Sequence, residues 1–84
     1  MITVLYFSTE WCGPCKMLFP VVEEVTTAMS IPLTKIDAQR SSQLATQHQI
    51  TGVPTIIAFK DGRPVYRTTG MISKPQLIST LQNL

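Results

Sequence analysis

Cys12 and Cys15, spaced by Gly13-Pro14, are the only two cysteines in this 84-residue chain. A C-x-x-C pair can cycle between dithiol and disulfide, because the thiolate of one cysteine attacks a foreign disulfide and the second then displaces the partner. The residues before the pair, Ile2-Thr3-Val4-Leu5-Tyr6-Phe7, read as a strand, and those after it as a helix. Cys12 therefore falls at a helix start, where free backbone N–H groups and the positive end of the helix dipole favour an anion. That environment marks Cys12 as the attacking thiolate. Cys15, roughly one turn further on, resolves the mixed disulfide by closing a small ring with Cys12. Pro14 suits a first-turn position that needs no N–H, and Gly13 lets the backbone of a partner approach.

Other chemistries fit less well. Two cysteines are too few for the disulfide framework of a small secreted domain. Zinc would need two further Cys or His ligands, and the one histidine is His48, on a polar helix, so no metal is expected. A Cys–His nucleophile pair lacks an orienting group or an oxyanion motif.

The elements that must position the pair follow from periodicity. Residues 2–7 are β-branched and aromatic with little alternation, as in a central strand covered on both faces. Leu18, Phe19, Val22, Val25 and Met29 recur at helical spacing, so a helix is predicted over 13–29, kinked at Pro20. A short strand over 32–37 is followed by a polar helix starting near Ser41 or Ser42 and carrying Leu44 and Ala45. Pro54 to Phe59 and Pro64 to Thr69 form a hairpin around Asp61-Gly62. Ser73-Lys74-Pro75-Gln76 matches a capping box for a last helix facing inward with Leu77, Ile78, Leu81 and Leu84. The order β-α-β-α-β-β-α implies an α/β fold, a four-stranded mixed sheet flanked by three helices, in a single domain over 1–84.

Composition sets the remaining bounds. Hydrophobic residues are 44% and charged residues 14% of the chain, as in a globular core and unlike a disordered segment. A net charge of +2 with scattered Lys and Arg gives no footprint for nucleic acid or an anionic membrane. Neither a signal peptide nor a membrane-spanning run is visible, so a cytoplasmic protein is expected, and a small, largely polar surface gives no reason to expect more than a monomer.

At Trp11-Cys12-Gly13-Pro14-Cys15-Lys16 the chain resembles the thioredoxin family, and the likeness runs to its end. Pro20, Gly52-Val53-Pro54-Thr55, Phe59-Lys60-Asp61-Gly62 and Gly70 are similar to the family's kinking proline, active-site-facing segment, hairpin and groove glycine. The resemblance implies the thioredoxin fold and a protein-disulfide reductase whose only redox group is the Cys12–Cys15 disulfide, with no separate cofactor. It also implies a cis Pro54, where most X–Pro bonds are trans. A substrate strand would pair with the Val53 backbone, beside a contact surface of Trp11, Pro54 and Gly70. Trp11, Gly13, Pro14 and Lys16 support the site.

The chain also departs from the family. It begins at the central strand, without the usual preceding strand and helix, as glutaredoxin-like proteins do. Tyr6 stands where the family has a buried Asp, and Leu33 where it has the matching Lys, so the proton route to Cys15 is open, with the Tyr6 hydroxyl one candidate beside water or a backbone group. Three readings result: a dithiol reductase recharged by a thioredoxin-reductase-type donor, a glutaredoxin-like enzyme recharged by glutathione, and a binding module in which the groove grips a partner. Gly13-Pro14, where glutaredoxins carry Pro-Tyr, speaks against the second.

Overall fold

A computed structural model describes all residues from Met1 to Leu84. Its order is β1 (Ile2–Ser8), α1 (Gly13–Ala28), β2 (Leu33–Asp37), α2 (Ser42–Gln47), β3 (Thr55–Lys60), β4 (Arg63–Thr69) and α3 (Lys74–Gln82). This is the order the periodicity predicts, with boundaries moved by one residue or so.

The sheet runs β2-β1-β3-β4. β1 and β2 are parallel, with Val4 opposite Leu33 and Tyr6 opposite Lys35. Parallel neighbours need a crossover, which α1 supplies. β3 returns antiparallel to β1, with Tyr6 opposite Ile56, and β4 follows it through the hairpin. Asp61 and Gly62 have φ of 51° and 84°, the pair of positive values that lets a two-residue turn follow the twist of its strands.

Because β1 is flanked on both edges, its alternate side chains are buried on opposite faces. Val4 and Tyr6 pack with Leu18, Val22 and Val25 of α1, Ile56 and Ala58 of β3, and Leu77 and Leu81 of α3. Phe7 forms a smaller cluster on the other face with Ile36 and Ile57, covered by Ile50 and Val53. Leu33 is half-buried and packs against the larger cluster, so an aliphatic side chain continues the core there.

The helix ends are fixed locally. Ser73 Oγ accepts the Gln76 N–H at 3.3 Å while Gln76 Oε1 accepts the Ser73 N–H at 3.3 Å, the reciprocal pair expected of a capping box. α1 stops where Ser30 turns left-handed at φ 56°, with Ser30 N–H bonded to the Thr27 carbonyl and Ile31 N–H to that of Thr26. This closes the last turn and satisfies two orphan carbonyls. α2 ends the same way at Gln49, whose φ is 55°. Pro20 lies inside α1 without ending it.

The polar helix forms at Ser42–Gln47. α2 has no buried residue and Leu44 is exposed, so Leu44 does not serve the core. With six residues, α2 is too short to lay an apolar stripe on the sheet. His48, just beyond it, does the covering instead, with its ring 5.6 Å from Phe7 and 5.9 Å from Phe59.

Candidate active site

Four residues separate the last strand residue, Ser8, from the first helical one, Gly13. Cys12 is the N-cap of α1, extended at φ −95° and ψ 102°. Its Sγ accepts the Cys15 N–H at 3.1 Å, so the sulfur takes the place that a capping oxygen usually holds. Cys12 and Cys15 are joined as a disulfide, with their Cα atoms 5.2 Å apart. The two cysteines are unequally exposed: Cys12 is half-buried and Cys15 only 2% exposed. Gly13 and Pro14 lie exposed in the first turn, and Trp11 is 84% exposed beside them. A Cβ at Gly13 would meet nothing within 4 Å, so the chain itself does not require glycine there.

Tyr6 is fully buried, and its hydroxyl donates to the Cys15 carbonyl at 2.7 Å. The bond ties the central strand to the first turn of α1. The hydroxyl proton is thereby committed to a backbone oxygen. Burial also pushes the Tyr6 phenol up to about 12. Its ring meets Phe19 at 5.3 Å between centroids, and the Lys35 ammonium sits 4.6 Å over the other aromatic centroid, that of Phe19.

The Val53–Pro54 peptide is cis, as the resemblance implies. Pro54 is buried, and its carbonyl accepts the Gly70 N–H at 2.8 Å. Gly70 has φ 95°, a conformation that a side chain would strain. Thr55 Oγ1 donates to the Gly52 carbonyl at 2.6 Å and meets Thr69 Oγ1 at 3.1 Å, which pins the segment to the end of β4. A Cβ on Gly52 would lie 3.2 Å from the Thr69 methyl, so the approach is close. The backbone of Val53 bonds to no other group of the chain.

One feature escaped sequence reasoning. A cavity of about 430 Å³ opens beside Cys15, lined by Ser8, Thr9, Glu10, Lys16, Lys35 and Asp37. Arg40 bonds Glu10 Oε1 at 2.6 Å and lies 4.0 Å from Asp37 Oδ2. The Arg40 N–H holds the Asp37 carboxyl below its usual range, helped by the Gln39 N–H and the Arg40 guanidinium. The parallel register is the signal that could have found Lys35, because it sets Lys35 beside Tyr6. His48, by contrast, lies on the face of the sheet opposite α1, and no three His, Cys, Asp or Glu side chains come together.

The Thioredoxin family model matches residues 1–83. The chain belongs to the thioredoxin family. A thioredoxin-like protein from Synechocystis sp. is 42% identical over 78 residues, 90% of this chain and 74% of that protein. The thioredoxin of Mycobacterium tuberculosis is 41% identical over 80 residues, 93% of this chain and 69% of its own length. Among solved structures, a mutant thioredoxin from Halobacterium salinarum superposes with a TM-score of 0.92 at 33% identity, covering 98% of this chain and 73% of that one. Fasciola hepatica thioredoxin gives 0.88 at 29% identity, covering 98% and 79%. The fold is thus a thioredoxin fold, and this member is a thiol–disulfide oxidoreductase. Thioredoxins use no cofactor besides their redox-active disulfide.

Because folding holds Tyr6 neutral, its contribution to stability is fully present below the ordinary tyrosine value of about 10 and is lost as pH rises from there toward about 12. Tyr6→Phe should lower stability at pH 7 by about 1 kcal/mol through the lost hydrogen bond. It should also remove the wild type's extra loss of about 2 kcal/mol across that alkaline window. Urea unfolding at a series of pH values measures both, and equal alkaline slopes would contradict the assignment.

Proposed function

We propose that the chain works as one domain, residues 1–84, that reduces protein disulfides, with Cys12 attacking and Cys15 resolving. The observation that carries this is the N-cap sulfur: Cys12 Sγ accepts an N–H of the first helical turn, and Cys12 is the more exposed of the two cysteines. A negative charge on Cys12 is stabilised there by that N–H and by the helix dipole. The thiolate attacks a substrate disulfide, forming the Cys12–substrate bond and releasing one substrate thiol. Cys15 then attacks Cys12 Sγ, which re-forms the internal disulfide and releases the second thiol.

The unpaired Val53 backbone beside Pro54 offers an N–H and a carbonyl to an extended substrate. Such pairing reads main chain, so it tolerates varied substrate sequences. Trp11 supplies exposed aromatic surface next to the nucleophile, and Gly70 keeps the facing wall free of a side chain. Lys16 adds a cation one residue beyond Cys15. Within a thioredoxin family member, recharging falls to a thioredoxin-reductase-type donor, and the glutathione-recharged and binding-module readings recede. The same reading puts the protein in the cytoplasm as a monomer.

Insulin reduction followed by turbidity tests the assignment. Wild type should be active, Cys12→Ser inactive, and Cys15→Ser trapped as a mixed disulfide through Cys12. Recharging should proceed with NADPH and thioredoxin reductase and fail with glutathione and its reductase. An active Cys12→Ser would overturn the cysteine roles, and recharging by glutathione alone would overturn the donor.

Replacing the buried carboxylate by Tyr6 removes a charge that opposes nearby thiolates. A more stable thiolate means a more stable reduced form and a less reducing couple. Equilibration with glutathione should place the potential above that of a thioredoxin that has the carboxylate; a value at or below it contradicts this.

A further inference from the structure

Resolution requires the Cys15 thiol to lose a proton, yet Cys15 is 2% exposed and buried thiols resist ionisation. The Tyr6 hydroxyl is committed to the Cys15 carbonyl, and the buried polar residues are Ser8, Thr26 and Thr55, none of them a carboxylate. What reaches Cys15 from solvent is the cavity on its β2 side.

The charges on that cavity are unequally engaged. Glu10 and Asp37 are both held by Arg40. Lys16 and Lys35 line the same cavity, and neither has a carboxylate within 4.0 Å. Arg40 brings one positive charge to the two carboxylates, so with Lys16 and Lys35 the cavity and its bridge carry a net charge of about +1, and Lys35 also acts on Asp37 through its charge. Lys35 is further fixed in place over the Phe19 ring, which packs on Tyr6. Ser8 ends β1 on the same wall and is 5% exposed.

We propose that this cavity is the path by which Cys15 is deprotonated, with the Lys35 ammonium favouring the Cys15 thiolate and the Ser8 hydroxyl carrying the proton outward. The proposal rests on Cys15 being the resolving cysteine. The step balances: the Cys15 S–H proton passes to Ser8 Oγ as the Ser8 proton leaves to solvent in the cavity. The Cys15 thiolate forms its bond to Cys12 Sγ, the Cys12–substrate bond breaks, and the departing substrate thiolate takes up a proton from solvent. The groups around Cys15 are Tyr6 and Ser8 from β1, Glu10 from the following turn, Cys12 and Lys16 from α1, Lys35 and Asp37 from β2, and Arg40 from the turn before α2. Of these, Lys35 is the cation carried by the rigid sheet, with no carboxylate in direct ion-pair contact.

The reaction of the reduced protein with an aromatic disulfide that releases a coloured thiol separates the two steps. The first thiol reports attack by Cys12, and the second reports resolution by Cys15. In stopped flow, Lys35→Gln should raise the pH midpoint of the second phase by about 0.5 unit. Below that midpoint, the second phase should run about threefold slower. The rates should converge at high pH, and Lys35→Arg should restore the wild-type profile. High salt should shift the wild type in the same direction. Ser8→Ala should slow the second phase without moving its midpoint. Coincident second-phase profiles for wild type and Lys35→Gln would overturn the proposal. A second phase that persists in Cys15→Ser would instead overturn the cysteine roles, so the two failures are distinguishable.

Discussion

A helix leaves its first N–H groups without intrahelical partners, and something must satisfy them. Here the group that does so is a sulfur: Cys12 Sγ accepts from Cys15 N, where a serine or aspartate oxygen would usually stand. Capping and redox chemistry therefore make the same demand. A thiolate is a better acceptor than a thiol or a disulfide sulfur, so the helix start favours the reduced, ionised form. Everything else in the site serves to hold that sulfur at the helix start with one face open.

The sheet meets this demand through β1. As an inner strand bonded on both edges, it is held by its neighbours, and its C-terminal end delivers the chain to the active-site turn. Tyr6 links strand and helix directly by donating to the Cys15 carbonyl. The phenol thereby packs like a core residue and satisfies a polar atom at the site's base without a charge. The bond from Gly70 N–H to the Pro54 carbonyl and the Thr55–Thr69 contact hold the segment around the cis proline against the end of β4.

Much of this was legible in the sequence because the signals were local. The cysteine spacing, the aliphatic periodicity of α1, the Asp61-Gly62 turn and the Ser73 capping box each specify their structure within a few residues. The cis Pro54 was legible only by resemblance, since nothing in its neighbours sets it apart from a trans proline. The ends of α1 and α2 were harder to read. Ser30 and Gln49 adopt left-handed conformations that glycine usually announces. The Arg40 bridge to Glu10 spans 30 residues, and the cavity beside Cys15 is walled by β1, α1 and β2 together. Such arrangements depend on parallel register, which no local pattern encodes.

The chemistry of the site turns on the helix start ionising Cys12. Thiolate absorbance of the reduced protein as a function of pH, with alkylation sites mapped by mass spectrometry, measures it directly. Cys12 should be alkylated first and titrate well below the ordinary cysteine value of about 8.5. A Cys12 that titrates at or above that value, or a Cys15 that is alkylated before it, would contradict it.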